Sequence, residues 1–236
     1  ATVACMEVGL DEARGFGVMS VNQAGQVLAF EEKPSEPSAL PENPDCALAS
    51  MGIYVFNRDL LLDELVRDSR ERNSSHDFGH DILPHLIDEQ PVYAYPFGSL
   101  EGRVSQDKYW KDVGTLDAYY DANIAMLDPV PPLNLYQRDW PIRSYTAQSP
   151  PARTVPGEEG YDGIIYNASL AGGTVINGGV VRHSILSAWV RLEHASVVED
   201  SILFDNVTVG AGARLKRCIV DKHVRIPEGE SIGYDP

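Results

Sequence analysis

Positive charge is scarce in this 236-residue sequence: 19 Lys and Arg stand against 35 Asp and Glu, a formal net charge of −16. A duplex nucleic-acid binder needs a basic face, so the deficit argues against that class of partner. It does not argue against a small phosphorylated metabolite, which a few local cations can hold on an acidic surface. Long apolar runs are missing as well. Nothing approaches the ~18 consecutive apolar residues of a bilayer span, which leaves no membrane partner, and no cationic-then-apolar stretch marks a secretory signal. The three cysteines, Cys5, Cys46 and Cys218, are scattered, odd in number and without metal-ligand spacing. That favours reduced, buried thiols in a cytoplasmic protein over a disulfide framework. Neither a P-loop nor GxGxxG occurs, and no Ser/His/Asp or Cys/His nucleophile arrangement stands out. What remains is ordinary globular composition, 43% hydrophobic and 23% charged, enough for a real core. The length fits one to two units.

The first half alternates strand and helix signals, the pattern of an α/β layer domain. Thr2 to Val8 is strand-like, and residues 16–21 and 26–31 flank Asn22-Gln23-Ala24-Gly25 as a hairpin with a glycine in the turn. Leu48 to Phe56 is a further strand, rich in β-branched and aromatic residues. Asn57 is placed to cap a helix whose apolar face carries Leu60, Leu61, Leu65 and Val66. Asp77 opens a second helical stretch with Ile82, Leu83, Leu86 and Ile87, in which Pro84 kinks or splits the helix. Val92 to Phe97 alternates like a strand, Val104 to Val113 reads as extended, and Thr115 caps a helix running through Met126. The organisation expected is an α/β part over 1–127, a connector over 128–160 and a repeat region over 161–236.

The connector holds seven of the sixteen prolines, a density that excludes regular helix or central strand. Its Leu133, Leu135, Tyr136, Trp140, Ile142 and Tyr145 are too many large apolar groups for a solvated tether, so an ordered, packed connector is expected. Beyond it the chain repeats. Ser184–Asp200, Ser201–Arg217 and Cys218–Tyr234 align as three blocks of equal length, keeping Ile185/Ile202/Ile219, Val190/Val207/Val224, Leu192/Val209/Ile226 and, more loosely, Val197/Ala213/Ser231 apolar. The preceding block, 167–183, fits poorly at its start but offers Val175 and Val180 at matching places. Repeats of this length rich in β-branched residues, with Gly and Asn at corners, mean stacked coils of three short strands, a parallel β-helix. A β-sandwich with accidental periodicity is the alternative. Charge divides unevenly: residues 1–160 carry 12 basic and 26 acidic groups, residues 161–236 seven and nine. The repeat region holds a local basic cluster at Arg214, Lys216, Arg217, Lys222 and Arg225.

Three segments can carry chemistry. In Phe30-Glu31-Glu32-Lys33-Pro34 a strand delivers one ammonium to its carboxyl end, where α/β sheets bind ligands; a surface salt bridge is the bland reading. Asn73-Ser74-Ser75-His76-Asp77-Phe78-Gly79 implies a helix start with hydroxyl and carboxylate caps, and capping alone would explain Ser75 and Asp77. His76, His80 and His85 lack a supporting metal pattern. In Tyr109-Trp110-Lys111-Asp112-Val113-Gly114-Thr115 an aspartate ends an extended segment, well placed for Mg²⁺, and Trp110 either walls a sugar or fills core.

Taken together, FEEKP, LASMGIYVF, NSSHDFGHDILP, YWKDVGTLDAYYDAN and NLYQRDWPIRSY, in this order and followed by the repeats, closely resemble the bacterial glucose-1-phosphate adenylyltransferases (ADP-glucose pyrophosphorylases) over the whole chain. The resemblance implies the later part of a Rossmann-like nucleotidyltransferase domain followed by a left-handed parallel β-helix. It implies ATP and glucose 1-phosphate as substrates, ADP-glucose and pyrophosphate as products, glycogen synthesis as the setting, Mg²⁺ as cofactor, an anionic or nucleotide allosteric effector, and a homotetramer. By motif, Lys33 would neutralise the sugar phosphate and Glu32 would bind sugar hydroxyls. Ser50 and Tyr54 would line that pocket with Asp77 and Phe78 nearby. Asp112 would be one of two aspartates on the metal, with Trp110 supporting it, and Lys222 would sit at the effector site. The family's glycine-rich GGxGxRL loop, its other metal-binding aspartate and its C-terminal effector segment are absent, and both ends look cut. A fragment inactive by itself is therefore expected. Another sugar-1-phosphate nucleotidyltransferase and a catalytically silent regulatory subunit are the competing readings.

Overall fold

The computed structural model describes residues 1–98, 109–138, 141–145, 148–157 and 162–234, which divide into two compact units, Ala1–Trp110 and Lys111–Pro236. The first five residues of the stretch expected to be extended over 104–113 lie outside the described residues, as do Trp140 and 235–236.

In the first unit the strands are β1 (Thr2–Gly9), β2 (Gly17–Val21), β3 (Val27–Glu32), β4 (Cys46–Val55) and β5 (Tyr93–Pro96). They form one mixed sheet in the order β3-β2-β4-β1-β5, antiparallel except for the parallel pair β1 and β5. The expected hairpin is present. Asn22 Oδ1 accepts from the backbone N–H of Ala24 and Gln26, and Gly25 takes φ +75°, which a β-carbon would disfavour. One sheet face buries Val3, Cys5, Met19, Phe30 and Leu48 with Leu83 and Leu86. Full burial of such side chains is worth about 1.5–3 kcal/mol each. The other face is open: Thr2, Ala4, Met51, Ile53, Val55, Tyr95 and Phe97 line an apolar groove of about 510 Å³.

A short helix α1 (Leu10–Ala13) follows β1, and α2 (Arg58–Asp68) starts where expected, with Asn57 accepting from the N–H of Asp59 at 3.0 Å. Its buried face differs from the expected one. Leu65 and Val66 are exposed, whereas Glu64 and Asp68 are buried. The side of α2 that turns inward meets ion-pair partners, Arg67 and His85 for Glu64 and His76 for Asp68, so charge pairing overrides the leucine pattern. After Asp77 the chain makes a π-helical turn, Phe78–Ile82, and continues as α3 (Leu83–Glu89). Pro84 sits in the first turn of α3, where its missing N–H costs nothing, and the expected split falls there.

The second unit opens with α4 (Leu116–Ile124), capped by Thr115 Oγ1 accepting from the N–H of Ala118 at 3.1 Å and prolonged by a tight turn to Leu127. The proline-rich stretch behind it has no regular structure among its described residues until Arg153–Val155. The packing expected of its apolar groups is not found: Val130, Tyr136 and Tyr145 are 88%, 91% and 93% exposed, and Leu135 and Ile142 are exposed as well. Proline keeps this backbone out of sheets and helices, so no element carries those side chains inward.

The rest is a parallel β-helix whose strands stack in three sheets. Ile185 pairs with Ile202 and Ile202 with Ile219, Arg191 with Thr208 and Thr208 with Arg225, Val197 with Arg214 and Arg214 with Ser231, always at the seventeen-residue interval. Leu192, Val209 and Ile226 are buried as the alignment implies, together with Val190 and Val207. Two alignments need correction. The fourth apolar column is Val181/Val198/Leu215, one residue beyond the strand-initial residues, because side chains alternate in and out along a strand. Ile176, not Val175, matches Leu192, since the earlier coil has one residue fewer. Every corner uses a left-handed residue: Gly173, Trp189, Asn206 and His223 at one, Gly178, Ala195, Gly212 and Gly229 at the next, Asn167, His183, Asp200 and Arg217 at the third. Those intervals place the missing residue between Gly173 and Gly178.

Candidate functional site

Lys33 follows the last residue of β3 and takes φ +48°. A non-glycine residue in that region is strained, and one before proline is normally pushed to extended backbone. The conformation is held by the Lys33 N–H donating to the carbonyl of Phe16 at 3.0 Å. It leaves the ammonium two-thirds exposed, with Nζ 3.8 Å from Glu32 Oε1. The Glu32 carboxylate is sunk against two glycines. A β-carbon on Gly17 would lie 2.9 Å from Oε2, and one on Gly79 would overlap it outright. Both positions therefore need glycine for the carboxylate to fit, a requirement that the sequence reading missed.

Tyr54, on β4, stacks on Phe78 with ring centroids 5.6 Å apart and an interplanar angle of 20°, and Phe56 closes the cluster at 6.3 and 5.8 Å. Burial pushes the Tyr54 hydroxyl above its ordinary pKa; a hydrogen bond with buried Ser50 opposes this, and the charges of Glu32 and Asp77 add to it. These couplings bring Glu32, Ser50, Tyr54, Asp77 and Phe78 to one place, drawn from β3, β4 and the π-helical turn. Lys33 joins them through Glu32.

The segment 74–81 is tied down by carboxylates that the sequence reading did not single out. Asp77 caps the π-helical turn by accepting from the N–H of Gly79 and His80 at 2.8 and 2.9 Å, so the capping reading of Asp77 holds alongside its place in the cluster. Asp81 accepts from the Ser75 hydroxyl, the Ser75 N–H and the Asp77 N–H. The Ser75 bond is the main reason that its carboxyl stays well below the usual range. Asp68 is likewise lowered, first by the Ser74 hydroxyl at 2.6 Å and then by His76 Nδ1 at 2.7 Å. His76 itself takes φ +59°. The readable signal was the spacing of Asp77 and Asp81 at i and i+4 behind a pair of serines.

Trp110 packs edge-on against Phe16 at 5.2 Å, and Phe16 in turn holds Lys33. Asp112 belongs to the second unit, exposed, with its carboxylate 3.0 Å from where a β-carbon on Gly114 would stand. Lys222 is exposed on the β-helix, its N–H donating to Asp221 Oδ1 at 2.7 Å. Among the described residues no group of three or more His, Cys, Asp or Glu could hold a metal ion. Buried Cys5 is pushed up to about 12 by burial, which makes it an inert thiol. Among the described residues no helix is long and apolar enough to cross a membrane.

Comparison with known proteins agrees with this architecture. Residues 150–236 match the GlmU-like C-terminal hexapeptide family, and residues 1–128 match the Nucleotidyl transferase family. The chain is 51% identical over 235 residues to glucose-1-phosphate adenylyltransferase 2 of Vibrio cholerae, with 100% of this chain and 58% of that protein covered. It is 47% identical over 236 residues to glucose-1-phosphate adenylyltransferase of Nitrosospira multiformis, covering 56% of that protein, and 48% identical over 236 residues to that of Dechloromonas aromatica, covering 54%. The chain thus spans a little over half the length of these relatives. With an α/β sheet, a clustered set of motif residues at its strand ends and a family match over more than half its length, the chain belongs to the nucleotidyl transferase family.

Proposed function

We propose that this chain is the sugar-phosphate half and β-helix of a glucose-1-phosphate adenylyltransferase acting in glycogen synthesis. The observation that carries the reading is the convergence of Glu32, Lys33, Ser50, Tyr54, Asp77 and Phe78, from separate segments, in one cluster. A half-exposed cation beside a recessed carboxylate and an aromatic wall suits a phosphorylated sugar: the ammonium takes the phosphate, the carboxylate accepts from hydroxyls, the ring lies along the sugar.

In the reaction an anionic oxygen of glucose 1-phosphate attacks the α-phosphorus of ATP in line. A new phosphorus–oxygen bond forms as the bond to the bridging oxygen of pyrophosphate breaks. The attacking oxygen is already ionised, so no general base is required. The protein's work is positioning and neutralisation of charge between two anions. Lys33 does this for the sugar phosphate, and Glu32 fixes the sugar's orientation. Asp112 is the one carboxylate of this chain that we assign to Mg²⁺, a partial fit. The ion takes one or two carboxylates and fills its remaining positions with phosphate oxygens and water. When bound it would neutralise the charge of the transferring phosphate.

The open apolar face of the first sheet is where we place the rest of the catalytic domain, including the nucleotide-phosphate loop, and the chain by itself is expected to make no ADP-glucose. Lys222 is our candidate for contact with an anionic effector in a homotetramer. The full-length protein, assayed for pyrophosphorolysis of ADP-glucose, tests the activity; a silent protein would show it to be a regulatory subunit or another nucleotidyltransferase. Lys222→Ala should blunt activation and leave the basal rate intact, and unchanged activation would reject its role.

A further inference from the structure

The β-helix carries a second polar cavity that the reading above does not use, a groove of about 370 Å³ lined by Trp189, Arg191, Asn206, Thr208, His223 and Arg225. It lies along the sheet in which Arg191, Thr208 and Arg225 stack in register. Successive coils in such a sheet are about 4.8 Å apart, so the two arginines rise about twice that distance from each other with the threonine hydroxyl between. The adjoining corner column, Trp189, Asn206 and His223, is locked at φ +62°, +61° and +62°, each N–H donating to a carbonyl of the coil below. Trp189 lies over Gly173, where a β-carbon would come within 2.6 Å of the indole. Its ring is thus seated on the preceding coil yet remains 44% exposed.

The groove's electrostatics are opposite to those of the molecule. No carboxylate lines it, on a chain of net charge −16. Arg191 engages Glu193 through Nε alone, at 2.7 Å, which leaves its terminal amino groups uncommitted, and Arg225 and His223 have no side-chain ion pair among the described residues. Two guanidinium forks separated by a hydroxyl, with an amide and an indole at the rim, match a phosphate attached to a small organic body.

We infer that this groove is a binding site for a small organic phosphate: Arg191 and Arg225 grip the phosphate from successive sides, Thr208 donates to it, and Trp189 with Asn206 meets the organic part. The site is separate from the Lys33 cluster and does not depend on the role given to Lys33. The test therefore uses the 236-residue chain carrying Lys33→Ala, so that phosphate binding at the first cluster does not contribute. Calorimetry and amide NMR follow titration with inorganic phosphate, glucose 6-phosphate and, as the uncharged control, glucose. The expected result is saturable binding of glucose 6-phosphate with shifts at Thr208 and Arg225, weakened about tenfold or more by Arg225→Ala or Arg191→Ala, as loss of a charge-assisted hydrogen bond requires. Trp189→Ala should weaken glucose 6-phosphate and leave inorganic phosphate alone. Absence of saturable binding, or binding indifferent to both arginine changes, overturns the site. A Trp189→Ala chain that binds both probes like its parent overturns the organic part of the assignment. A change of oligomeric state in the arginine variants without phosphate binding would assign the groove to a subunit contact instead.

Discussion

The two units use the same strained backbone state in opposite ways. In the β-helix, left-handed residues recur at every corner in three aligned columns, so each is a structural repeat of the one beneath it. In the α/β unit the non-glycine examples are single and unrepeated, Lys33 and His76, and both lie in segments bearing candidate site residues. Polar groups follow the same division. The β-helix satisfies its buried hydroxyls by a ladder: Ser184 Oγ accepts from the Ser201 N–H at 3.0 Å, and Ser201 Oγ accepts from the Cys218 N–H at 3.1 Å. The α/β unit gathers its carboxylates into one irregular network under the 74–81 segment. Periodic strain is the cost of a corner. Isolated strain marks a place where geometry serves a ligand.

That contrast can be broken by substitution. The largest effect belongs to the stacked core: Leu203→Ala, at a fully buried mid-helix position, should destabilise the second unit by about 2–5 kcal/mol, read by hydrogen exchange at its strands. Protection unchanged at Ile202 and Ile219 would show that the coils do not share one core. Ser201→Ala should cost about 1–3 kcal/mol, because it orphans the Cys218 N–H. At the other end of the scale, Leu65→Ala on the exposed side of α2 should stay within about 0.5 kcal/mol. A large loss there would restore the leucine face that the sequence suggested.

The carboxylate network is read by pH. Asp68 and Asp81 have folded pKa values below the ordinary carboxylate range, so their stabilisation is present at neutral pH, where both folded and unfolded forms are ionised. It is lost as pH falls from about 4 through the depressed folded values. Asp68→Asn should lower the melting temperature of the first unit at pH 7, and the gap to the parent should narrow as the solution is acidified below pH 4. A gap that widens in acid would reverse the sign.

How much of this was legible depended on whether the signal was local or repeated. The caps at Asn57, Asp77 and Thr115, the turn at Asn22–Gly25 and the three equal blocks could be read directly, since each is fixed by neighbours in sequence or by a fixed interval. The face of α2 was not, because Glu64 and Asp68 find their partners, His85 and His76, only in the folded chain. The fourth apolar column slipped by one position for a different reason: a strand of two or three residues is too short to show its own alternation. Of the candidate site, the motifs named Glu32, Lys33, Tyr54 and Phe78, while the glycines that let Glu32 sink, Gly17 and Gly79, stand far from it in sequence. The connector's aromatic residues looked like core and are exposed, since apolar composition has no effect where proline prevents an element from forming.

The central claim is that the isolated strain at Lys33 serves a sugar phosphate. The direct measurement is steady-state kinetics of Lys33→Ala in the full-length enzyme. The account predicts a KM for glucose 1-phosphate raised about 10- to 100-fold, the loss of a hydrogen bond to a charged group, with the KM for ATP nearly unchanged. An equal effect on both substrates, or no effect on either, would contradict it.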